Sequence, residues 1–312
     1  MMASDGSTSV RLRPSATAHK RRGRADGRAA AVFLLPWFIG LVVITIGPLI
    51  ASLYLSFTDF DLLTSPNWIG FENYLELFQD SRWLKSLKVT FIYVITAVPL
   101  QLGVALALAI FLDKGLRGLN FYRSLFYLPS LLGGSVAIAV LWRQIFGKDG
   151  LINGFLAVFG IEGPGWINNP DTSLLTLIAL AAWMFGSPMV IFLAGLRQIP
   201  DMYYEAAALD GAGRWRQFRS ITFPMLTPIV FFNVVLQIIE AFQSFTQAFV
   251  VSGGTGGPAD STLFYTLYLY QKGFGSLDMG YASAMAWVLL LIIAVFTAIN
   301  FATSKHWVFY DE

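Results

Sequence analysis

Six long runs of apolar residues, almost free of Asp, Glu, Lys and Arg, dominate this chain of 312 residues. They cover residues 29–58, 89–112, 124–142, 172–196, 228–251 and 279–304, and Glu240 is the only charged residue within them. A helix needs about 20 mostly apolar residues to cross a bilayer. Lipid offers the backbone no hydrogen-bond partner, and barrel strands would be shorter and alternating, so each run predicts a transmembrane helix. The predicted fold is an all-α membrane protein with six transmembrane helices.

The composition agrees with a chain that has lipid as its main solvent. Hydrophobic residues make up 56% of the sequence and charged residues 13%, whereas charged residues form about a quarter of an ordinary soluble domain. A net charge of +2 is too small to indicate a nucleic-acid partner. The absence of cysteine excludes disulfides, thiolate metal sites and a cysteine nucleophile.

Lys and Arg residues alternate between the two sides of the predicted membrane. They are concentrated in residues 1–28 and in the second and fourth connections, whereas the first and fifth connections are acidic or nearly uncharged. Because basic connections stay in the cytoplasm, both termini are expected there. The chain therefore divides into a basic cytoplasmic tail (1–28), a six-helix transmembrane domain (29–304) and a cytoplasmic C-terminal tail (305–312).

Residues suited to enzymatic chemistry are scarce. Both histidines, His19 and His306, lie outside the apolar runs, so the sequence offers neither clustered zinc ligands nor an intramembrane base. No Gly-x-Ser-x-Gly motif is present. The Gly-rich stretch 253–258 is not followed by Lys-Ser or Lys-Thr, which excludes a phosphate-binding loop. The sequence therefore predicts no catalytic residue, no metal site and no cofactor in this chain.

The fourth connection, residues 200–224, has an unusual sequence for a simple link. Asp201 is expected to cap a short helix that contains Ala206–Ala208, and Gly211 is expected to end that helix by reversing the backbone. A second short helix is expected from about Arg214. By itself, this pattern leaves open whether the helices form a knob that another protein contacts or an amphipathic segment on the membrane surface.

The same connection carries a motif with fixed spacing. Its elements are Glu205-Ala206-Ala207, Gly211 and Ile221-Thr222-Phe223-Pro224. This resembles the signature of ABC importer permeases, which is Glu-Ala-Ala, three residues, Gly, nine residues and Ile-x-Leu-Pro, with Phe223 in the place of Leu. The resemblance covers about residues 31–304. Further stretches similar to maltose-type and glycerol-phosphate-type sugar permeases are Trp68–Tyr74, Gly150–Asn153, Gly256–Pro258 and Ser261-Thr262.

The resemblance implies the ABC importer type I permease fold. It also implies the first of two paired permease subunits of a carbohydrate importer in the bacterial inner membrane. Two separate ATPase subunits would bind ATP and Mg and hydrolyse the ATP, and an extracytoplasmic sugar-binding protein would deliver the saccharide. The residues then expected to couple to the ATPase are Glu205, Ala206, Ala207, Ala208, Asp210, Gly211 and Arg214. Gly256, Gly257 and Pro258 are expected to contact the binding protein, with a flexible linker as the alternative.

The fifth apolar run contains regularly spaced polar residues. They are Asn233, Gln237, Glu240, Ser244 and Gln247. Their spacing of four, three, four and three places them on one face of a helix, which is expected either to line the substrate pathway or to bind neighbouring helices. Trp183 and Gln101 are further candidates for the pathway. Since no Lys or Arg lies in any run, neutral saccharides fit this subunit better than phosphorylated ones.

A self-sufficient secondary transporter is the alternative function. Such transporters are built from inverted repeats with broken helices, and no convincing internal repeat is visible in this sequence. The motif in residues 200–224 therefore favours the ATP-driven importer.

The first connection predicts an amphipathic helix. Phe71, Tyr74, Leu75 and Phe78 recur at helical spacing with acidic residues between them. Packing at the outer membrane interface and contact with the binding protein are both compatible with this pattern.

Overall fold

The computed structural model describes residues 32–113 and 118–309. Within these ranges the regular structure is helical, and the one β feature is an isolated bridge between Thr58 and Trp68. The fold is therefore all-α, as predicted. The basic tail 1–28 and the end of the C-terminal tail lie outside the described residues.

The described residues divide into two compact units, with the boundary between Tyr54 and Leu55. The first unit supplies nearly all of helix α1, Val32–Leu55, which contains a π-helical stretch at Leu41–Ile46. The second unit contains the remaining helices. These are α2 (Glu72–Gln79), α3 (Ser81–Asp113), α4 (Leu119–Leu132), α5 (Val136–Ile145), α6 (Leu151–Val158), α7 (Ser173–Trp183), α8 (Gly186–Leu196), α9 (Asp201–Leu209), α10 (Arg214–Phe242), α11 (Thr246–Ser252), α12 (Tyr265–Tyr270) and α13 (Met279–Ser304).

Within the described residues, four helices are each long and apolar enough to cross a membrane: α1, α3, α10 and α13. The predicted spans 124–142 and 172–196 are broken, since α4 and α5 meet at 94° and α7 and α8 at 40°. Counting each bent pair as one span gives the six that the sequence predicts. The sharper break arises because Ser135 is extended and its Oγ accepts a hydrogen bond from the N–H of Ile138, so a new helix starts there.

Helix α3 forms the centre of the second unit. It packs against α7, α8, α10 and α12. Its Ala97, Ala105 and Ala109 are completely or almost completely buried. Their small side chains allow the neighbouring helices to approach α3 closely. The fully buried Phe192 and Leu193 of α8 belong to the same core.

The amphipathic helix predicted in the first connection is present as α2. Leu77 and Asn73 are buried, whereas Leu75 and Phe78 are exposed. The amide of Asn73 donates hydrogen bonds to the carbonyl oxygens of Ser56 and Thr58, at 3.0 and 2.9 Å. These bonds hold α2 against the chain that leads into it.

Candidate functional site

A cavity of about 280 Å³ opens between α3, α7 and the C-terminal end of α10. Its polar lining includes Gln101, Gln237, Glu240, Ser244 and Gln247, all of which the sequence nominates for the pathway. Its apolar lining includes Tyr93, Ala97, Leu177, Leu180 and Met184. Amide, hydroxyl and carboxylate groups therefore face the same space as an aromatic ring and aliphatic carbons.

The polar residues of the fifth run do not share one continuous helical face. Helix α10 ends at Phe242, and Phe245 has non-helical torsions before α11 begins at Thr246. The prediction of one face is wrong beyond this break. Ser244 still lines the cavity because the backbone turns there, and its carbonyl oxygen accepts a hydrogen bond from the hydroxyl of Thr266.

Two cavity amides satisfy backbone groups that the helix breaks release. Nε2 of Gln101 donates to the carbonyl oxygen of Met184, at the junction of α7 and α8, over 3.0 Å. Nε2 of Gln247 donates to the carbonyl oxygen of Gly133, at the junction of α4 and α5, over 3.3 Å. Carbonyl groups at helix ends lack an intrahelical partner, which is costly in lipid. These two side chains therefore bind neighbouring helices and line the cavity at the same time.

Glu240 is the exposed acid of the cavity. Its Oε2 accepts a hydrogen bond of 3.2 Å from Nε2 of Gln237, one helical turn earlier. Gln237 is buried, whereas the side chain of Glu240 is exposed on the surface of this subunit. The pair presents a carboxylate with free acceptor capacity to the cavity.

Asn233 and Trp183 lie outside the cavity lining. Asn233 is 1% exposed, and neither its Oδ1 nor its Nδ2 has a hydrogen-bond partner among the described residues. The ring of Trp183 packs on that of Trp142 with centroids 5.9 Å apart. The structure therefore brings together five of the seven residues predicted for the pathway and separates these two from them.

The segment 200–224, called the coupling segment below after the role that the sequence resemblance predicts for it, forms α9 and the first turns of α10. Gly211 has φ of +76°, and the N–H groups of Gly211 and Ala212 bond to the carbonyl oxygens of Ala208 and Ala207 at 3.0 and 2.9 Å. This is the Schellman arrangement that ends a helix with a left-handed residue, so the predicted reversal at Gly211 is present.

Two details of the predicted coupling segment are wrong. Pro200, with extended torsions, occupies the cap position, so Asp201 is the first residue of α9 and makes no side-chain cap bond. Its carboxylate still lies at the positive end of the helix dipole. The helix that begins at Arg214 is not a separate short one but continues into α10 through a π-helical stretch, Phe218–Thr222.

Helix α9 is exposed but firmly attached to α10. Glu205 and Asp210 are exposed, and so are the apolar side chains of Met202, Leu209 and Trp215. On the attached side, the hydroxyls of Tyr204 and Thr222 share a hydrogen bond of 2.9 Å. Nε2 of Gln217 donates to the carbonyl oxygen of Ala212 over 3.1 Å.

Residues 253–263, called the outer loop after the side on which the sequence predicts them, are tightly folded. Gly257 has φ of +74°, and a Cβ atom there would lie 2.4 Å from Oγ1 of Thr262. The N–H of Thr262 donates to the carbonyl oxygen of Gly256 over 2.9 Å. Pro258 begins a short 3-10 turn that ends at Asp260. Packing of this kind does not fit the flexible-linker alternative.

Asp80, which the sequence analysis missed, joins three helices near this loop. Its Oδ1 accepts the N–H groups of Arg82 and Trp83, at 2.9 and 3.2 Å, and so caps α3. Its Oδ2 accepts the hydroxyls of Tyr268 and Tyr281. Burial acts to raise the pKa of Asp80, but the hydrogen bonds to its carboxylate outweigh burial and hold the pKa below its usual value.

Residues 74–306 match the family described as the binding-protein-dependent transport system inner membrane component. The chain belongs to this family. The matching range contains the coupling segment, the cavity lining and the outer loop. Since the family forms the membrane component of a transport system, this permease is a multi-pass inner membrane protein and not an enzyme.

Relatives of the permease have names that agree with this family. The probable ABC transporter permease protein YesP of Bacillus subtilis is 53% identical over 291 residues, which cover 93% of this chain and 94% of YesP. The lactose transport system permease protein LacF of Rhizobium radiobacter is 31% identical, with coverage of 88% of this chain and 93% of LacF.

A solved structure shares the fold of the permease. It is a chain of a bacterial alginate ABC transporter, crystallised in complex with an alginate pentasaccharide-bound periplasmic protein. The TM-score is 0.78 at 18% identity, and the alignment covers 91% of this chain and 96% of that chain. The observed fold is therefore that of ABC importer permeases, as the sequence motifs predict.

Proposed function

We propose that this chain is the first of two permease subunits in a bacterial importer for neutral saccharides, driven by ATP that separate subunits hydrolyse. The observation that carries the proposal is a single helix with a functional element at each end. Helix α10 begins within the coupling segment at Arg214 and carries Gln237 and Glu240 at its other end. A self-sufficient secondary transporter has no support from the family to which the chain belongs.

Helix α10 provides a mechanical link between ATPase and substrate. Its 29 residues span about 43 Å at 1.5 Å per residue. The ATPase subunit, which would bind ATP and Mg, would contact Glu205, Gly211 and the exposed face of α9. Because α9 is bonded to α10 through Tyr204 and Thr222, movement of α9 would move the cavity end of α10 as a rigid body.

The cavity chemistry supports an uncharged, hydroxyl-rich substrate. Sugar hydroxyls both donate and accept hydrogen bonds, so they match the amides of Gln101 and Gln247, the hydroxyl of Ser244 and the carboxylate of Glu240. No Lys or Arg is present among the described residues that line the cavity. The names of several relatives include lactose, starch degradation products and arabinooligosaccharides.

The remaining partners follow from the same function. A second permease would complete the pathway on the exposed side of Glu240. An extracytoplasmic sugar-binding protein would dock on the outer loop at Gly256, Gly257 and Pro258. The basic residues of the tail and of the second and fourth connections support a cytoplasmic location for both termini.

Reconstitution tests the proposal directly. The tagged chain should co-purify with a second permease and an ATPase subunit, and one saccharide with the binding protein should stimulate ATP hydrolysis in nanodiscs. Glu240→Ala should then lower the uptake rate about tenfold through loss of a charged hydrogen-bond acceptor, with assembly unchanged. Glu162→Ala, which removes an exposed acid elsewhere, should leave uptake unchanged. Solute movement by the chain alone, without nucleotide, would overturn the proposal.

A further inference from the structure

The outer loop contains two adjacent residues with side chains in the left-handed region. Ala259 has φ of 52° and Asp260 has φ of 56°. Ala seldom adopts this conformation and Asp does so more often, so at Ala259 above all it persists only where the surrounding structure imposes it. The cause must therefore lie in what these two residues contact.

A bidentate ion pair holds Asp260. Nε of Arg82 donates to Oδ2 of Asp260 over 3.1 Å, and Nη2 donates to Oδ1 over 2.8 Å. The two residues are 178 positions apart in the sequence. Two parallel bonds between a guanidinium group and a carboxylate fix direction as well as distance, which a single lysine bond would not do. The pair therefore determines where the strained end of the loop lies.

Arg82 is itself held in place. It is the second residue of α3, and its N–H is bonded to Asp80, the residue that caps this helix. Its guanidinium carbon lies 5.3 Å from the ring centre of Tyr268, within reach of a cation–π interaction. The ion pair therefore attaches the outer loop to a well-ordered residue at the start of α3.

The other fastenings of the loop are buried or uncharged. The hydroxyls of Ser261 and Ser173 share a buried hydrogen bond of 2.6 Å, and Nε2 of Gln271 donates to the carbonyl oxygen of Gly254 over 2.8 Å. The side chains of Arg82 and Asp260, in contrast, are 47% and 27% exposed. Exposed ion pairs add little to global stability, so the effect expected of this pair is on local shape.

We propose that Arg82 is a positioning residue, which holds the outer loop through Asp260 in the one shape that the binding protein recognises. This inference rests on the proposed function, in which Gly256–Pro258 contacts the binding protein. A loop that is already ordered loses less conformational freedom on association, so the same contacts give tighter binding. Without the pair, the left-handed residues relax and the loop samples other shapes.

Loop order can be measured without any binding protein. This chain has no cysteine, so Ala259→Cys gives a single site in it for a nitroxide label, which is attached before the chain is assembled with its partners, and keeps a Cβ atom at the strained position. In the assembled transporter, adding Arg82→Ala or Asp260→Asn should increase the mobility of the label. Asn tolerates the left-handed region, so Asp260→Asn removes the charge with little change in backbone preference. Lys85→Ala is the matched control, since Lys85 is an exposed cation on the same helix.

Binding-protein dependence is the second measurement, made on unlabelled transporter with wild-type Ala259. The concentration of binding protein that gives half-maximal ATPase stimulation should rise about tenfold in Arg82→Ala and Asp260→Asn. The maximal stimulated rate should stay the same, which a general structural defect would not allow. Lys85→Ala should change neither quantity.

The two measurements separate the two ways in which the inference can fail. If the label is equally ordered with and without Arg82, the positioning role is wrong whatever the ATPase assay shows. If the label becomes mobile but the half-maximal concentration is unchanged, the pair orders the loop and the assignment of this loop to the binding protein is wrong. A lower maximal rate with an unchanged half-maximal concentration would also overturn the inference.

Discussion

The coupling segment and the outer loop both depend on left-handed backbone, but they use it differently. In the coupling segment one glycine, Gly211, ends an exposed helix, and open space surrounds the position where its Cβ would lie. In the outer loop, Gly257 is left-handed and tightly packed, and Ala259 and Asp260 are left-handed despite their side chains. The left-handed residue of the coupling segment simply ends a helix. The left-handed residues of the outer loop depend on contacts with residues outside the loop.

The interactions that hold the two regions in place also differ in their charge and in their sequence separation. The coupling segment is joined to its neighbouring helix by neutral bonds close in sequence, such as the one from Tyr204 to Thr222. The outer loop is held by an ion pair and a buried serine pair that reach distant parts of the chain. Short-range fastenings suit a part that moves together with one helix. Long-range fastenings suit a surface that must keep its shape for a docking partner.

The largest effect is expected from Gly211→Leu. A side chain in the left-handed region is unfavourable by about 1–2 kcal/mol, so the turn after α9 should change its path. Uptake should fall to background, and ATP hydrolysis should no longer respond to the binding protein, while the protein still inserts. Gly213→Leu is the control because Gly213 has φ of −67° and open space around it. Normal uptake in Gly211→Leu would remove the coupling role from this turn.

A smaller effect is expected from Gly257→Ala. Its Cβ would clash with Thr262 Oγ1, so the loop should shift and the half-maximal concentration of binding protein should rise about fivefold. Gly275→Ala, at a glycine with open space and ordinary torsions, should leave that concentration unchanged. ATPase titration with binding protein measures both. An equal effect of the two substitutions would show that the packing of Gly257 is not what matters.

Tyr204→Phe should have a moderate effect on the coupling segment. It removes the hydroxyl bonded to Thr222, a loss of about 1 kcal/mol that should loosen α9 on α10. Sugar transported per ATP should fall by up to about fivefold, the ratio to which 1 kcal/mol corresponds, with the ATPase rate maintained. Tyr203→Phe, at the exposed neighbour, serves as the control. An unchanged ratio would mean that backbone continuity alone carries the motion.

The smallest effect concerns Asp80 beside the outer loop. Because hydrogen bonds lower its pKa in the folded state, it stabilises the fold above its unfolded pKa of about 3.9, and this contribution is lost as the pH falls through the lowered folded value. Asp80→Asn should lower the thermal midpoint by a few degrees at pH 7, and the difference should shrink on acidification. Melting curves in detergent, with Glu162→Gln as control, measure this. A difference independent of pH would exclude the ionised carboxylate as the cause.

The sequence predicts the spans well because apolar length is a local property. It predicts the breaks less well, since Gly133-Gly134-Ser135 and Pro188 mark the neighbourhood of the two bends but do not determine their angles of 94° and 40°. The spacing from Asn233 to Gln247 likewise assumes a continuous helix, and no proline or glycine marks the end of α10 at Phe242.

Contacts between distant residues were beyond prediction for a different reason. Gly211 could be recognised because one residue type and its spacing determine the turn. Nothing in the sequence relates Arg82 to Asp260, or Asp80 to Tyr281, because only the packing of α3, α12 and α13 brings them together. The cap at Pro200 was missed because Asp201 is the better capping residue by type.

The side-chain amides of Gln101 and Gln247 affect how tightly the cavity can bind a sugar. One N–H of each side-chain amide is already bonded to a carbonyl oxygen, that of Met184 or Gly133, so the vacant cavity leaves only part of the donor capacity unused. In the proposed pathway, a sugar that bonds to these N–H groups would have to displace a carbonyl oxygen of the protein. Exchange of this kind keeps the net free energy of association small. A permease must release its substrate in every transport cycle. Weak binding in the cavity suits this requirement, since a tightly bound sugar would block further transport.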